Sequence, residues 1–162
     1  MCVHAVPMTL DRYDIGLLAR LQCDAQTPLR VLAEAVNLST ASVQRRIQKL
    51  KQQGHIRAQV AVLDPELLGQ TVTILVEVTA HDTHADALAL LKQCFSGPEI
   101  QQCYYVTGEA DFMLVLVVPH MRHFNALSDR LFHNNANVKS FRTITVLDRV
   151  KTTLDVPCGT EN

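Results

Sequence analysis

Long apolar segments are absent from this sequence. No run approaches the roughly 20 uninterrupted apolar residues that a membrane-spanning helix needs, and the first seven residues are too short for the apolar region of a signal peptide. We therefore expect a soluble, cytoplasmic protein that does not contact a membrane. The chain of 162 residues is 48% hydrophobic, which is enough for the core of one large domain or of two small ones.

Features that support disulfides or catalysis are also scarce. No two cysteines form a C-x-x-C pair, their number is odd, and a cytoplasmic setting disfavours disulfides, so we expect free thiols. The cysteines are Cys2, Cys23, Cys94, Cys103 and Cys158. The sequence has no Walker loop, no G-x-G-x-x-G motif, no nucleophile elbow and no carboxylate pair set for acid-base chemistry. We therefore predict neither an enzyme nor a bound cofactor.

The charge is divided unevenly along the chain. Residues 1–63 contain eight Lys and Arg against four Asp and Glu, a net charge of +4, whereas the remainder contains seven against twelve, a net charge of −5. The positive first part favours a polyanion as its binding partner. The acidic remainder indicates a second domain with a different task.

Short helices are predicted in the basic part. Apolar residues at helical spacing favour one helix over Asp11–Gln22 and a second over Leu29–Val36. Asn37 can supply the left-handed residue that ends the second helix, and Ser39 or Thr40 can cap a third. Three short helices in close succession are thereby predicted.

The third helix is predicted to be amphipathic. Val43, Ile47 and Leu50 form its buried stripe, and Gly54 ends it. The following segment, Ile56–Leu63, alternates partly between apolar and polar residues, as the strand of a wing does. The first part of the chain is therefore predicted to be a winged helix-turn-helix domain.

Beyond Gly69 the periodicity changes from helical to strand-like. Four strands are predicted, at Thr71–Val78, Ile100–Val106, Phe112–Val118 and Val138–Val150, and two helices, at Ala85–Phe95 and Arg122–His133. The order βαββαβ is that of a ferredoxin-like fold, so the whole chain is predicted to be α+β. Helices cover one face of such a sheet. The other face would be an exposed apolar patch without a partner, which predicts a dimer.

Four motifs occur in a characteristic order along the chain. They are LDRYD at 10–14, LSTASVQRRI at 38–47, LDP at 63–65 with LG at 68–69, and CYYVTGEAD at 103–111. Together they resemble the Lrp/AsnC family of feast/famine transcription regulators, from about Leu10 to Val156. The resemblance implies a DNA-binding domain at 10–63, a linker at 64–70 and an ACT-like effector-binding and oligomerisation domain at 71–156. Residues 1–9 and 157–162 are expected to be tails.

The third helix has the composition of a recognition helix. Such a helix needs side chains that reach base edges near its N-terminus and cations that meet phosphates along its flanks. The residues predicted to contact double-stranded DNA are Arg30, Ser39, Thr40, Ser42, Gln44, Arg45, Arg46 and Lys49. A solvated basic helix face is the simpler interpretation of the charge alone. Two such helices in a dimer would read a roughly palindromic site.

The loop at 107–111 is the candidate effector site. Gly108 can take a positive φ and bring backbone N–H groups close to an anion, and Asp111 offers a carboxylate to a cation. Together they could hold both ends of an α-amino acid. An ordinary hairpin turn is the alternative interpretation of the same residues.

The family resemblance extends this effector site. It implies an amino-acid pocket at the contact between neighbouring dimers, with Thr107, Gly108 and Asp111 meeting residues of another subunit, and an octamer built from four dimers. Tyr104 and Met121 match positions near that pocket, and an apolar wall there favours leucine, methionine or a similar amino acid. Asn135 and Ala136 stand where many members have Pro-Gly, close to the region bordering the pocket. This departure leaves the identity of the amino acid open.

Other interpretations of the sequence stay open. His81 with His84 and His120 with His123 suggest metal ligands, because we expect strands one and three to be parallel neighbours, which would place both pairs at the same end of the sheet. Solvated or capping histidines are the simpler explanation, and we predict no metal site. A constitutive, architectural DNA-binding protein is the main functional alternative. A ligand-binding protein that regulates an enzyme without binding DNA is the second.

Overall fold

The computed structural model describes residues 9–158, which form two compact units. The first unit comprises residues 9–62 together with 152–158, and the second comprises residues 63–151. The last seven described residues therefore belong to the first unit, although the sequence placed 152–156 with the second domain. Most of the two predicted tails, and Cys2, lie outside the described residues.

Three helices form the first unit, as predicted: α1 (Arg12–Cys23), α2 (Leu29–Val36) and α3 (Thr40–Gln52). Asp11 begins α1 with a capping box, its carboxylate accepting from the N–H groups of Tyr13 and Asp14. Asn37 ends α2 in the left-handed conformation, with φ of 52°, and Ser39 rather than Thr40 caps α3. Each helix end is thus fixed by a local side-chain or backbone bond.

The core of the first unit is small and apolar. Leu17, Leu32, Val36 and Val43 are buried together, and Tyr13, Leu21, Leu38 and Ile47 pack against them. Leu50 is also buried, so the predicted stripe of α3 faces inward. Burying each such side chain stabilises the unit by about 1.5–3 kcal/mol before the loss of chain entropy. Apolar contact with α1 and α2 therefore holds α3 in the unit.

The predicted wing strand is wrong for the described chain. Residues 56–63 form no β-ladder, and Val60 and Val62 are 74% and 95% exposed. A strand is stable only with a hydrogen-bonded partner, and none pairs with this segment within residues 9–158. Gln59 holds it instead, since its amide accepts from Lys51 Nζ at 2.6 Å and donates to the Ala25 carbonyl at 3.3 Å.

The second unit has the predicted βαββαβ order. Its elements are β1 (Val72–Ala80), α4 (Ala85–Cys94), β2 (Ile100–Tyr105), β3 (Phe112–Val118), α5 (Met121–Ser128), a π-helical turn at Asp129–His133, and β4 (Val138–Thr145). All neighbouring strands are antiparallel, in the order β2-β3-β1-β4. The last strand ends at Thr145 rather than Val150, because its ladder with β1 ends at the pair Ile74–Thr145 and is followed only by the bond from the Val146 N–H to the Thr73 carbonyl at 2.9 Å.

The two faces of the sheet differ in burial. Alternate residues of β1 and β3 are fully buried under α4 and α5; they include Ile74, Val76, Val78, Phe112, Leu114 and Leu116. On the other face Val115, Leu75 and Ile144 lie in one row across β3, β1 and β4 and stay partly exposed. We call this second surface the open face of the sheet.

Candidate DNA-binding and effector-binding sites

One side of α3 is exposed and rich in amide and cationic groups. Thr40, Gln44, Arg45 and Lys49 are all exposed, opposite the buried Val43 and Leu50. Ser42 is half-buried, and the Ser39 hydroxyl accepts from the Ser42 N–H at 3.2 Å, which leaves its own hydrogen for another acceptor. Hydroxyl, amide and guanidinium donors on one face suit phosphate and base edges.

Gln48 belongs to this surface but was not predicted as a contact. It is exposed, and it stands four residues after Gln44 and three after Arg45, so the three side chains are neighbours on the helix. The helical spacing alone could have identified it. We call Thr40, Gln44, Arg45, Gln48 and Lys49 the exposed face of α3.

Arg46 does not share the exposure of these residues. Its Nη1 lies 2.8 Å from Asp14 Oδ1 and 2.8 Å from Asp11 Oδ2, and its side chain is 27% exposed. The guanidinium also lies over the Tyr13 ring, 5.4 Å from the centroid. The hydrogen bond to Asp14 is the main cause that raises the pKa of Arg46. The arginine is thus held by α1 and its cap.

Arg30, predicted as a DNA contact, is exposed at the start of α2. Its Nη1 is 3.8 Å from Glu34 Oε1, and the two side chains are 82% and 67% exposed. An ion pair this open is weak because water screens it. The guanidinium therefore stays available to a phosphate.

In the second unit, the loop between β2 and β3 has the predicted backbone. Gly108 has φ of 126°, a conformation that side chains disfavour. Asp111 closes the loop: its Oδ2 accepts from the Ala80 N–H at 2.8 Å, and its own N–H donates to the Val78 carbonyl at 2.9 Å. Within residues 9–158 its other oxygen, Oδ1, accepts no hydrogen bond. Asp111 thus has a structural role and one carboxylate oxygen to spare.

The other predicted effector residues divide between the two ends of the sheet. Tyr104 is the next-to-last residue of β2, where it pairs with Met113 of β3 close to the loop. Asn135 and Ala136 lie in the turn before β4, beside the end of β1. Asn135 Oδ1 is engaged within that turn by the Asn137 N–H at 3.1 Å. Met121 follows β3 at the opposite end of the sheet. A single chain therefore does not bring Met121 to the loop.

A cavity of about 340 Å³ lies elsewhere, between α4 and β2. Phe95, Phe112, Tyr105, Cys103 and Lys92 are among the residues that line it. None of the predicted effector residues lines this cavity. The loop site is thus separate from this cavity.

The expected arrangement of the histidine pairs is wrong. Because β1 and β3 are antiparallel, with Val72 opposite Val118, the residues after β1 and those after β3 lie at opposite ends of the sheet. His120 caps α5, its Nδ1 accepting from the His123 N–H at 3.0 Å, and His84 pairs with Asp82 at 2.6 Å. Residues 9–158 contain no group of three or more His, Cys, Asp or Glu side chains that could hold a metal ion.

A capped helix with an exposed cationic face, joined to a βαββαβ unit, defines a DNA-binding regulator with a separate ligand-binding domain. Comparison with known families agrees: the AsnC-type helix-turn-helix domain matches residues 10–51, and the Lrp/AsnC ligand binding domain matches residues 71–156. The chain belongs to the Lrp/AsnC family of transcription regulators. Its helix-turn-helix and α+β predictions are thereby confirmed, and members of this family are not enzymes.

Individual relatives resemble the chain over most of its length. The HTH-type transcriptional regulator y4tD of Sinorhizobium fredii is 36% identical over 93% of this chain and 89% of its own. An AsnC family transcriptional regulator from Agrobacterium tumefaciens has a TM-score of 0.85 at 30% identity, covering 91% of this chain and 97% of its own. A transcriptional regulator of Neisseria meningitidis, solved in complex with L-Met, has a TM-score of 0.84 at 27% identity, covering 92% and 97%.

Among residues 9–158, no helix has the length and apolar character needed to cross a membrane.

Proposed function

We propose that the chain regulates transcription by inserting the exposed face of α3 into the major groove of a specific DNA site. The observation that carries this proposal is the segregation of donors on one side of α3, opposite its buried stripe. The proposed contacts are Arg30, Ser39, Thr40, Ser42, Gln44, Arg45, Gln48 and Lys49. Since its target is DNA, we place its action in the cytoplasm.

The test is DNA affinity as a function of salt. A binding duplex is first enriched from a pool of random-sequence duplexes, and its Kd is then measured by fluorescence anisotropy over a range of salt concentrations. Arg45→Ala should weaken binding and, where Arg45 meets a phosphate, reduce the slope of log K against log salt by about one. Arg20→Ala is the matched control, because Arg20 is an exposed arginine on α1 of the same unit. Failure to enrich any duplex would refute DNA recognition.

We infer further that the effector is an amino acid with an apolar side chain, leucine or methionine, bound at the 107–111 loop. The N. meningitidis regulator solved with L-Met supports this class of effector. The free Oδ1 of Asp111 suits the ammonium group, and the backbone around Gly108 suits the carboxylate. Thr107 and Tyr104 complete one side, with Asn135 and Ala136 at the same end of the sheet.

This effector site needs a second subunit to be complete. Met121 lies at the far end of its own sheet, so it can form the apolar wall only when a neighbouring dimer supplies it. We propose that the open face of the sheet forms the dimer and that four dimers form an octamer. A ligand at such a contact changes the assembly when it binds one arrangement better than another.

A thermal-shift screen against the twenty amino acids tests the effector proposal, because a ligand that binds the native state stabilises it. Stabilisation should be confined to leucine, methionine and similar amino acids, and Asp111→Asn should abolish it. Glu109→Gln is the matched control, since it removes the same charge from the same exposed loop. If no amino acid stabilises the protein, the alternative of an architectural DNA-binding protein is favoured. The hydrogen bonds that Asp111 makes within the fold are consistent with that alternative.

A further inference from the structure

The Arg46 side chain does not belong to the exposed face of α3, because it contacts α1 and its cap. Its Nη1 is shared between two carboxylates at 2.8 Å, and the plane of its guanidinium rests near Tyr13. All three partners belong to the cap and first turn of α1, more than 30 residues earlier in the chain. The side chain therefore points from the recognition helix back into its own domain.

Asp14 is the stronger determinant of this contact. Its side chain is 8% exposed, whereas that of Asp11 is 45% exposed. A buried carboxylate that loses its cation keeps the cost of its burial without the compensating attraction. Asp14 and Arg46 should accordingly remain paired whether or not DNA is bound.

The ion pair between Asp14 and Arg46 adds a directional bond to the apolar contacts of α3. Val43 packs in the core with residues of α1 and α2, and this contact turns one side of α3 inward without a directional bond. Arg46 lies three residues after Val43 and four before Leu50, at the edge of the buried stripe. A charged hydrogen bond at that edge fixes the rotation, and with it the direction in which Arg45 and Gln48 point.

We propose that Arg46 is a positioning residue, which orients the recognition helix through its ion pair with Asp14 and does not bind a DNA phosphate. The proposal rests on the DNA-binding function proposed above. It replaces the expectation, drawn from the sequence, that Arg46 contacts DNA directly.

Asp14→Asn separates the two roles because they predict opposite signs. If Arg46 positions α3, loss of the carboxylate charge loosens the helix and weakens DNA binding, by about five-fold or more, even though the protein becomes more positive. If Asp14 merely competes with phosphate for Arg46, the same change frees the cation and tightens binding. Asparagine keeps a side-chain oxygen that can accept from the Asp11 N–H, so the capping box survives.

The salt dependence gives an independent readout. Arg46→Gln should weaken binding while leaving the slope of log K against log salt unchanged, whereas Arg45→Ala should reduce that slope by about one. The double variant Asp14→Asn with Arg46→Gln should bind no more weakly than the poorer single variant, since both changes break one interaction. Circular dichroism at the temperature of the binding assay should show that each variant is folded. If Arg46→Gln unfolds, the affinity of Asp14→Asn, the milder change, tests the positioning role.

The outcomes distinguish this proposal from the proposed function. A wild-type protein that binds no enriched duplex refutes DNA recognition itself. If the wild-type protein binds DNA, three results would overturn the positioning role alone. They are tighter binding by Asp14→Asn, a lower salt slope for Arg46→Gln, and single effects that add in the double variant.

Discussion

Arg45 and Arg46 are neighbours of the same chemical type with different surroundings. Arg45 is exposed on α3, whereas Arg46 is held by carboxylates of α1 and its cap. The helical periodicity locates the buried stripe of α3 correctly, and Arg46 stands at its edge. What the sequence could not reveal is the partner, because Asp14 lies 32 residues away and contacts Arg46 only once the helices pack. Residue roles that depend on tertiary contact are therefore the least predictable part of this site.

Asp111 can be tested for its structural role separately from its proposed role in binding. Asp111→Ala should reduce the free energy of unfolding by about 1–3 kcal/mol, because the half-buried end of β1 loses the acceptor for the Ala80 N–H. Asp111→Asn should stay within about 0.5 kcal/mol of wild type, since its amide oxygen can accept the same bond. Urea denaturation followed by circular dichroism measures both. Equal stability of the alanine variant and the wild type would show that the Asp111–Ala80 bond contributes nothing measurable.

At the scale of elements, local signals predict better than pairing does. Capping residues and apolar spacing predicted α1, α2 and α3 to within a residue or two, and the continuous apolar run predicted β3 at Phe112–Val118. The wing at 56–63 and the end of β4 were wrong for a common reason: a strand exists only where another strand accompanies it. The histidine pairs were misplaced because strand direction, too, is a property of the pairing.

The open face of the sheet carries a prediction about assembly. Val115 belongs to its apolar row and lies between Leu75 and the edge strand β2. Val115→Glu should convert the proposed dimer to a monomer in light scattering, because a carboxylate would be buried against an apolar partner. The far-UV circular dichroism should be unchanged, since the side chain is partly exposed in the single chain.

Gln101→Glu is the matched control for this variant. It adds the same charge to the same sheet, but Gln101 lies at the register shift of the edge strand β2, where it lines the cavity between α4 and β2. The control should stay dimeric. A dimeric Val115→Glu variant would mean that subunits associate through another surface.

At the scale of the whole molecule, the chain passes between its two units twice. It leaves the first unit after residue 62 and returns to it at residue 152. On its return, the backbone of Val156 makes a reciprocal pair with Gln22 on α1: the Val156 N–H donates to Oε1 and the carbonyl accepts from Nε2, each at 3.1 Å. The βαββαβ unit is thus followed by a segment that belongs to the helical first unit.

This returning segment should contribute measurably to the first unit, which has three short helices and a small core, and so little stability to spare. Leu154 and Val156 are mostly exposed, so the segment acts chiefly through its hydrogen bonds to Gln22, which include one from Nε2 to the Cys158 sulfur at 3.5 Å. Gln22→Ala removes all three and should cost about 1–2 kcal/mol. For a unit of this size, each kcal/mol lost lowers the melting temperature by roughly 4–8 °C. In calorimetry the melting temperature of the first unit should fall, and that of the second unit should not change. Gln26→Ala, an exposed glutamine in the loop after α1, is the control. If the two variants melt alike, the segment is not bound through Gln22.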